Sequence, residues 1–257
     1  MQIVHPNITI EDDISGDAVL KKVERAARIC YQSRPNDETR DQFIRNIIKN
    51  NHTSVTEHVH ISVTIICNRG ISHEIVRHRI AAYSMESTRY VNYVNKGMKF
   101  VYPIELEHMK YVNPAMHEIL HKLWVEGCEN SETIYSKMIE AGAQPQLARD
   151  VLDNAVKTQI MLTYNLHAWR NFFTQRCAKA AHPDMKLIAI AMLLYFREHI
   201  PVIFDDIGYD EEFWNTYVVA HGKNWHDYII DQQLIAECDS VRYGNDFNNG
   251  NVIDNHE

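Results

Sequence analysis

From Val59 to Cys67 the chain alternates. Val59, Ile61, Val63, Ile65 and Cys67 are apolar, and His58, His60, Ser62 and Thr64 fall beside and between them. A period of two sends successive side chains to opposite faces, the pattern of a strand with one face buried. Elsewhere the period is helical. Val19, Val23, Ala26, Ala27 and Cys30 predict a helix over 16–33, and Phe43, Ile44, Ile47 and Ile48 predict another over 39–50. Asn68, Arg69 and Gly70 read as a turn, with a short helix starting over 71–77. Further helices are expected over 114–141, where Pro114 suits a first turn, and over 145–153, 166–176 and 184–199. Strands are expected over 97–102 and 156–164. Tyr111, Trp124 and Tyr135 read as core or as subunit contact.

This mixture of helices and alternating strands argues for an α/β or α+β domain. The 257 residues suffice for one sizeable core, and no repeat or Pro/Gly-rich linker divides them. One domain over 1–242 is expected, followed by a polar, mobile tail over 243–257 that has too little apolar surface to pack. No apolar run reaches the length of about 18 residues that a membrane span needs. The first residues lack a basic stretch followed by an apolar one, so the expectation is a cytoplasmic protein without a secretory signal. Cys30, Cys67, Cys128, Cys177 and Cys238 are scattered without CxxC spacing, which fits a reduced protein lacking a structural zinc.

The formal net charge is −8, which speaks against general binding to nucleic acid. The positive charge is local, however: Arg69, Arg77, Arg79 and Arg89 crowd into one short stretch. A cationic site in an acidic chain suits a small anion. Residues 77–90 read RHRIAAYSMESTRY. Arginine forks hold phosphate, or the edge of a planar ring, at two points at once. Ser84, Ser87 and Thr88 add short donors, although composition by itself favours a solvated basic helix end. The run from His73 to His78 superficially suggests a zinc-protease motif. Histidines five apart on a helix are turned by about 140° and cannot share a metal face. His58 and His60 share a strand face, and the polar side of a half-buried strand explains them. No metal site is expected. There is neither a GxGxxG nor a GxxxxGK[ST] motif.

The segment resembles the signature of flavin-dependent thymidylate synthases: Arg77-His78-Arg79, seven residues, Ser87, then Arg89-Tyr90. Three further stretches agree in order along the chain. His52 to His58 resembles the family's His-x-(Ser/Thr)-Pro-x-Glu-His turn before a strand. Leu147-Ala148-Arg149 resembles its Leu-Ala-Arg helix. Asn165 to Arg176 resembles its Asn-x-(Arg/His)-x-Trp…Phe-Phe-x-x-Arg helix. The likeness covers roughly residues 15 to 205.

This resemblance implies a fold with a central, mainly antiparallel sheet flanked by helices, an FAD site outside any Rossmann frame, and a homotetramer with shared active sites. It implies FAD contacts from Ser54, Glu57, Arg77, His78, Arg79, Asn165, His167 and Asn171. It implies dUMP contacts from Glu74, Arg77, Glu86, Ser87, Thr88, Arg89 and Arg149, the last two suiting the 5′-phosphate. Arg176 aligns with the arginine that polarises the uracil ring, and is the expected catalytic residue. NADPH and methylenetetrahydrofolate are the implied co-substrates, and dTMP the product. No cysteine acts as nucleophile in this family, so Cys177, beside Arg176, is read as structural.

The chain departs from the pattern at Met85, which stands where the family has Gln or Glu. A thioether lacks a carboxamide's donors, so that contact is lost or passes to Glu86 or a water. Val55 replaces the turn proline, and Ala82 replaces a common serine. Two competing readings follow. One is flavin-dependent modification of another pyrimidine nucleotide such as UMP. The other is a non-enzymatic RNA-binding module built on the arginine–tyrosine cluster.

Overall fold

The computed structural model describes residues 1–12 and 14–230. Strands β1 (Gln2–Val4) and β2 (Asn7–Ile10) lead into helices α1 (Gly16–Cys30) and α2 (Arg40–Lys49). A 3-10 turn, Thr53–His58, delivers the chain into β3 (His60–Asn68). Next come α3 (Arg69–Ile75), β4 (Ala82–Met85), α4 (Tyr93–Lys96), β5 (Lys99–Val101), α5 (Ile104–Val112), α6 (Pro114–Glu140) and α7 (Pro145–Ala148). The last elements are β6 (Lys157–Asn165), α8 (Leu166–Arg176), α9 (Pro183–His199), α10 (Pro201–Phe204), α11 (Glu211–Tyr217) and β7 (Ile229–Ile230). The tail expected over 243–257 lies outside the described residues.

The alternating stretch is the middle of the main sheet, whose order is β4-β6-β3-β2-β7. Its pairings are antiparallel except between β2 and β7. β3 and β6 pair along their whole length, from His60 opposite Asn165 to Asn68 opposite Lys157. This register puts Ile61, Val63 and Ile65 opposite Tyr164, Leu162 and Ile160, all of them on the buried face. A slip by one residue would turn one of the two rows outward while the other stayed buried, so burial itself fixes the pairing. Against this face pack α1, α8 and α9. α9 is buried from Asp184 through Leu193 and again at Phe196, as its continuous apolar run requires.

Trp169, Phe172 and Phe173 are fully buried and anchor α8, and the Trp169 indole N–H donates to the Ile61 carbonyl. Truncating an aromatic of this kind costs about 3–5 kcal/mol, so α8 sits on the sheet as a fixed support. Gly16 opens α1 where that helix meets the end of α9; a Cβ there would collide with the His199 carbonyl. A second, smaller core lies between α6 and β5 and holds Tyr93, Phe100, Cys128, Tyr135 and Ala148. Trp124 leans edge-on against Tyr102, while Tyr111 stays 58 % exposed and belongs to α5 rather than the long helix.

Two expectations need correction, and one strand was not expected. The helix expected over 145–153 stops at Ala148 and tightens into a 3-10 turn over Arg149–Val151. There the Ser131 hydroxyl donates to the Val151 carbonyl and accepts from the Asp153 amide, drawing the chain off the helical path. The short helix expected over 71–77 begins at Arg69, because the Asn68 side chain caps it at the Ile71 amide. It ends at Ile75, which leaves Arg77 in the following turn. β4 was not foreseen, because its four residues lie on the sheet's edge and bury no continuous apolar face.

Candidate active site

The signature segment leaves α3, turns through 76–81 and becomes β4. Its histidine and its arginines go in different directions. His78 is buried, with its ring edge-on to Phe172 at 5.0 Å between centroids. Arg77, Arg79 and Arg89 are exposed. Arg176, at the last turn of α8, reaches across to α3 and the turn. Its Nε–H donates to His78 Nε2 at 2.9 Å. One Nη donates to the Glu74 carboxylate at 2.8 Å, and the other to the Glu74 carbonyl at 3.1 Å. Three partners therefore fix one guanidinium, leaving two of its five N–H groups free of them.

A His78 nitrogen that accepts from Arg176 must be deprotonated, so the ring is neutral with its proton on Nδ1, an assignment made from the hydrogen bond. Burial, aided by the Arg176 charge, pushes the His78 pKa down to about 4. Position and electrostatics agree.

Glu86 goes elsewhere. Its carboxylate accepts from the Tyr93 hydroxyl at 2.8 Å and from Lys157 Nζ at 2.7 Å. Both oxygens are engaged within the chain, so Glu86 is poorly placed to replace the carboxamide that Met85 lacks. Met85 is 36 % exposed. Thr88 is buried, and the Ser87 hydroxyl accepts from the Arg89 amide. Tyr135 donates to the Val91 carbonyl, which fastens this segment to α6. Arg149 is exposed and follows α7, which packs against the same helix. Arg89 and Arg149 thus both rise from segments seated on the smaller core.

The other expected residues gather around α8. Asn165 caps that helix by accepting from the Ala168 amide at 2.8 Å. His167 and Asn171 lie one turn apart and are both exposed, with Asn171 accepting from Gln175. The Thr53–His58 turn packs against α8 and α1. It lines a cleft of about 510 Å³ to which His52, Ser54 and Glu57 contribute, with Cys30 and Tyr31 from the end of α1. Cys177 is fully buried, and burial raises its thiol pKa, so no thiolate stands beside Arg176. Among the described residues no group of three or more metal-ligating side chains converges. Sequence reasoning missed Tyr83, Tyr164 and Lys157. Tyr83 stands at an unspecified position inside the signature and Tyr164 just before the motif at Asn165, and only the strand register shows where Lys157 reaches.

The chain is similar in sequence to known proteins. The family model described as thymidylate synthase complementing protein matches residues 16–202. A flavin-dependent thymidylate synthase of Geobacter sulfurreducens is 32 % identical over 195 residues, covering 72 % of this chain and 81 % of that one. Another, from Mycobacterium sp. (strain JLS), is 35 % identical over 223 residues, covering 79 % and 85 %.

The chain belongs to the flavin-dependent thymidylate synthase family.

It is accordingly an enzyme of the methyltransferase class. The fold agrees with a solved structure, that of a UMP/dUMP methylase, PolB, from Streptomyces cacaoi bound with 5-Br dUMP. The TM-score is 0.69 at 16 % identity, over 84 % of this chain and 98 % of that one. The residues of this family member that resemble the family's motifs fall on the signature turn, β4 and its following segment, the turn before β3, α7 with the 3-10 turn after it, and the end of β6 with α8.

Proposed function

We propose that this enzyme converts dUMP to dTMP, taking the one-carbon unit from methylenetetrahydrofolate and the hydride from FAD reduced by NADPH. The observation that carries the reading is the guanidinium of Arg176, fixed by Glu74 and His78 beside the signature segment.

C5 of uracil is a weak nucleophile. A cation held at the ring's N3 and carbonyl edge stabilises the negative charge that develops there as C5 attacks the one-carbon unit. A charge already oriented needs no reorganisation during the reaction, and such pre-organised groups are worth about 10²–10³ in rate. Arg89 and Arg149 take the 5′-phosphate through bidentate, charge-assisted bonds.

The donor set suits a flavin nucleotide. Arg77 and Arg79 offer two exposed guanidinium groups for a pyrophosphate, and Ser54 and Glu57 line an open cleft. The exposed side of α8 adds the polar groups of His167 and Asn171, and Asn165 stands at its head. When bound, FAD would supply the hydride transfer, and the protein would orient the reactants and exclude water.

We propose a homotetramer with composite sites. Met116, Ile119 and Leu123 stand out from one side of α6 by 44 %, 57 % and 59 %, beside the exposed Tyr111 and Val112. A contiguous apolar stripe of this kind calls for a cover, and light scattering gives the mass of the assembly.

One observation favours a second substrate. Met85 replaces a polar contact to the nucleotide, and the fold is shared with a methylase named for both UMP and dUMP. The test is an absorption spectrum of the purified protein from 300 to 550 nm, titrated separately with dUMP and UMP, followed by product analysis. A flavin band that shifts with dUMP, and formation of dTMP, support the main reading. A response and product with UMP alone replaces it with the second. Absence of any flavin band after incubation with FAD overturns both.

A further inference from the structure

Behind the signature turn stand two tyrosines at none of the fixed motif positions: Tyr83 falls within the signature's seven-residue spacer, and Tyr164 just precedes the motif that starts at Asn165. Tyr83 comes from β4 and Tyr164 from the facing strand β6, with their rings perpendicular at 88°. Their hydroxyl oxygens are 2.7 Å apart. Tyr83 Oη also lies 2.5 Å from the His78 carbonyl and 3.0 Å from the Ile75 carbonyl. Tyr164 Oη lies 3.4 Å from the Ile75 carbonyl. Two protons serve these contacts. The shortest consistent chain runs from the Tyr164 O–H to Tyr83 Oη, and from the Tyr83 O–H to the His78 carbonyl, with Ile75 sharing. Burial raises both phenol pKa values, so both protons stay in place.

The carbonyls they hold lie at the end of α3 and in the turn that follows. A helix leaves its last carbonyls without partners inside the helix, and here side-chain hydroxyls supply them. The backbone beyond is strained. Ile80 has φ 67°, in the left-handed region, and its side chain is 83 % exposed. A β-branched residue there costs on the order of 1–2 kcal/mol and persists only where neighbours impose it. Between the hydroxyl pair and the strained residue sits His78, whose imidazole Nε2 receives the Arg176 Nε–H.

We propose that the Tyr83–Tyr164 hydroxyl pair is a positioning device for Arg176. It fixes the backbone at His78, the imidazole then meets the guanidinium, and the guanidinium is turned towards the substrate. The inference rests on the reading of Arg176 as the group that faces the uracil ring. Neither tyrosine touches substrate in this account.

The experiment compares Tyr83→Phe, Tyr164→Phe and Arg176→Ala in the full chain, reading kcat, dUMP affinity and the ¹⁵N–¹H resonance of Arg176 Nε. Removing the Tyr83 hydroxyl should lower kcat by up to about 100-fold, the scale on which a group misplaced by about 1 Å slows a reaction. The dUMP affinity should change less than about threefold and the resonance should move. Tyr164→Phe should act in the same direction but less, because Tyr83 keeps its bond to His78; it carries the test if Tyr83→Phe does not fold. In a His78→Leu background the Tyr83→Phe penalty should vanish, since the linkage is already cut. Wild-type kcat with an unmoved resonance in both tyrosine variants overturns the proposal, as does an undiminished penalty in the His78→Leu background. Retained turnover in Arg176→Ala removes the reading of Arg176 instead, while the resonance still decides whether the hydroxyl pair orients it.

Discussion

Arg176 and the exposed arginines of the signature carry the same charge under opposite conditions. Arg176 ends a helix anchored by Trp169, Phe172 and Phe173, and three partners on α3 and the signature turn determine its direction. Arg77, Arg79, Arg89 and Arg149 stand in solvent. In the proposed reaction the contrast separates two tasks. A cation that stabilises charge as it develops must be oriented beforehand, and the fold supplies that order with packing and hydrogen bonds. Cations that capture a phosphate gain from reach and exposure, and the ligand orders them on arrival.

The sharpest way to break this comparison is to remove the held arginine. Arg176→Ala should lower turnover about 10³-fold while the flavin band is retained; near-normal dTMP formation would end the distinction. Next comes an exposed one. Arg89→Lys keeps the charge but not the fork, and should weaken dUMP binding about 10- to 100-fold with kcat at saturation little altered. Calorimetry measures it, and an unchanged dissociation constant would remove the phosphate role.

A smaller effect comes from pH. The folded pKa of His78 is depressed to about 4, whereas an unfolded histidine titrates near about 6.5. Between these values the unfolded chain binds the extra proton, so this contribution to stability is complete above about pH 6.5 and is lost as pH falls towards 4. Denaturant unfolding across that range should show a weaker decline in His78→Gln than in the parent, and parallel curves would contradict it. The least effect belongs to Ile80→Asn. Asparagine tolerates the left-handed backbone, so thermal unfolding should show a gain of up to about 1 kcal/mol. A loss of stability would mean that the exposed isoleucine packs against something.

Much of this was legible in the sequence. The alternation through β3 gave its buried face residue by residue, and the apolar run of α9 its depth. The signature and its three accompanying motifs pointed to the family to which the chain belongs. What the sequence could not tell was which polar groups spend themselves on one another. Glu86 looked available to a nucleotide, yet Lys157, 71 residues later in the chain, neutralises it across the β4–β6 edge. His78 looked like a ligand to the cofactor, and the fold turns its Nε2 to Arg176. Asn165 has its side-chain oxygen occupied as a helix cap. Such pairings depend on register and on the ends of helices, which local patterns do not encode.

The measurement that bears most directly on the division of labour is steady-state kinetics of Arg176→Lys. A lysine keeps the positive charge but cannot reproduce the fork that meets His78, the Glu74 carboxylate and the Glu74 carbonyl. In this variant kcat should collapse while the enzyme still binds FAD and dUMP within a few-fold of the parent. Wild-type kcat in this variant would show that charge alone suffices at this position, and that the hold on Arg176 serves the fold rather than the reaction.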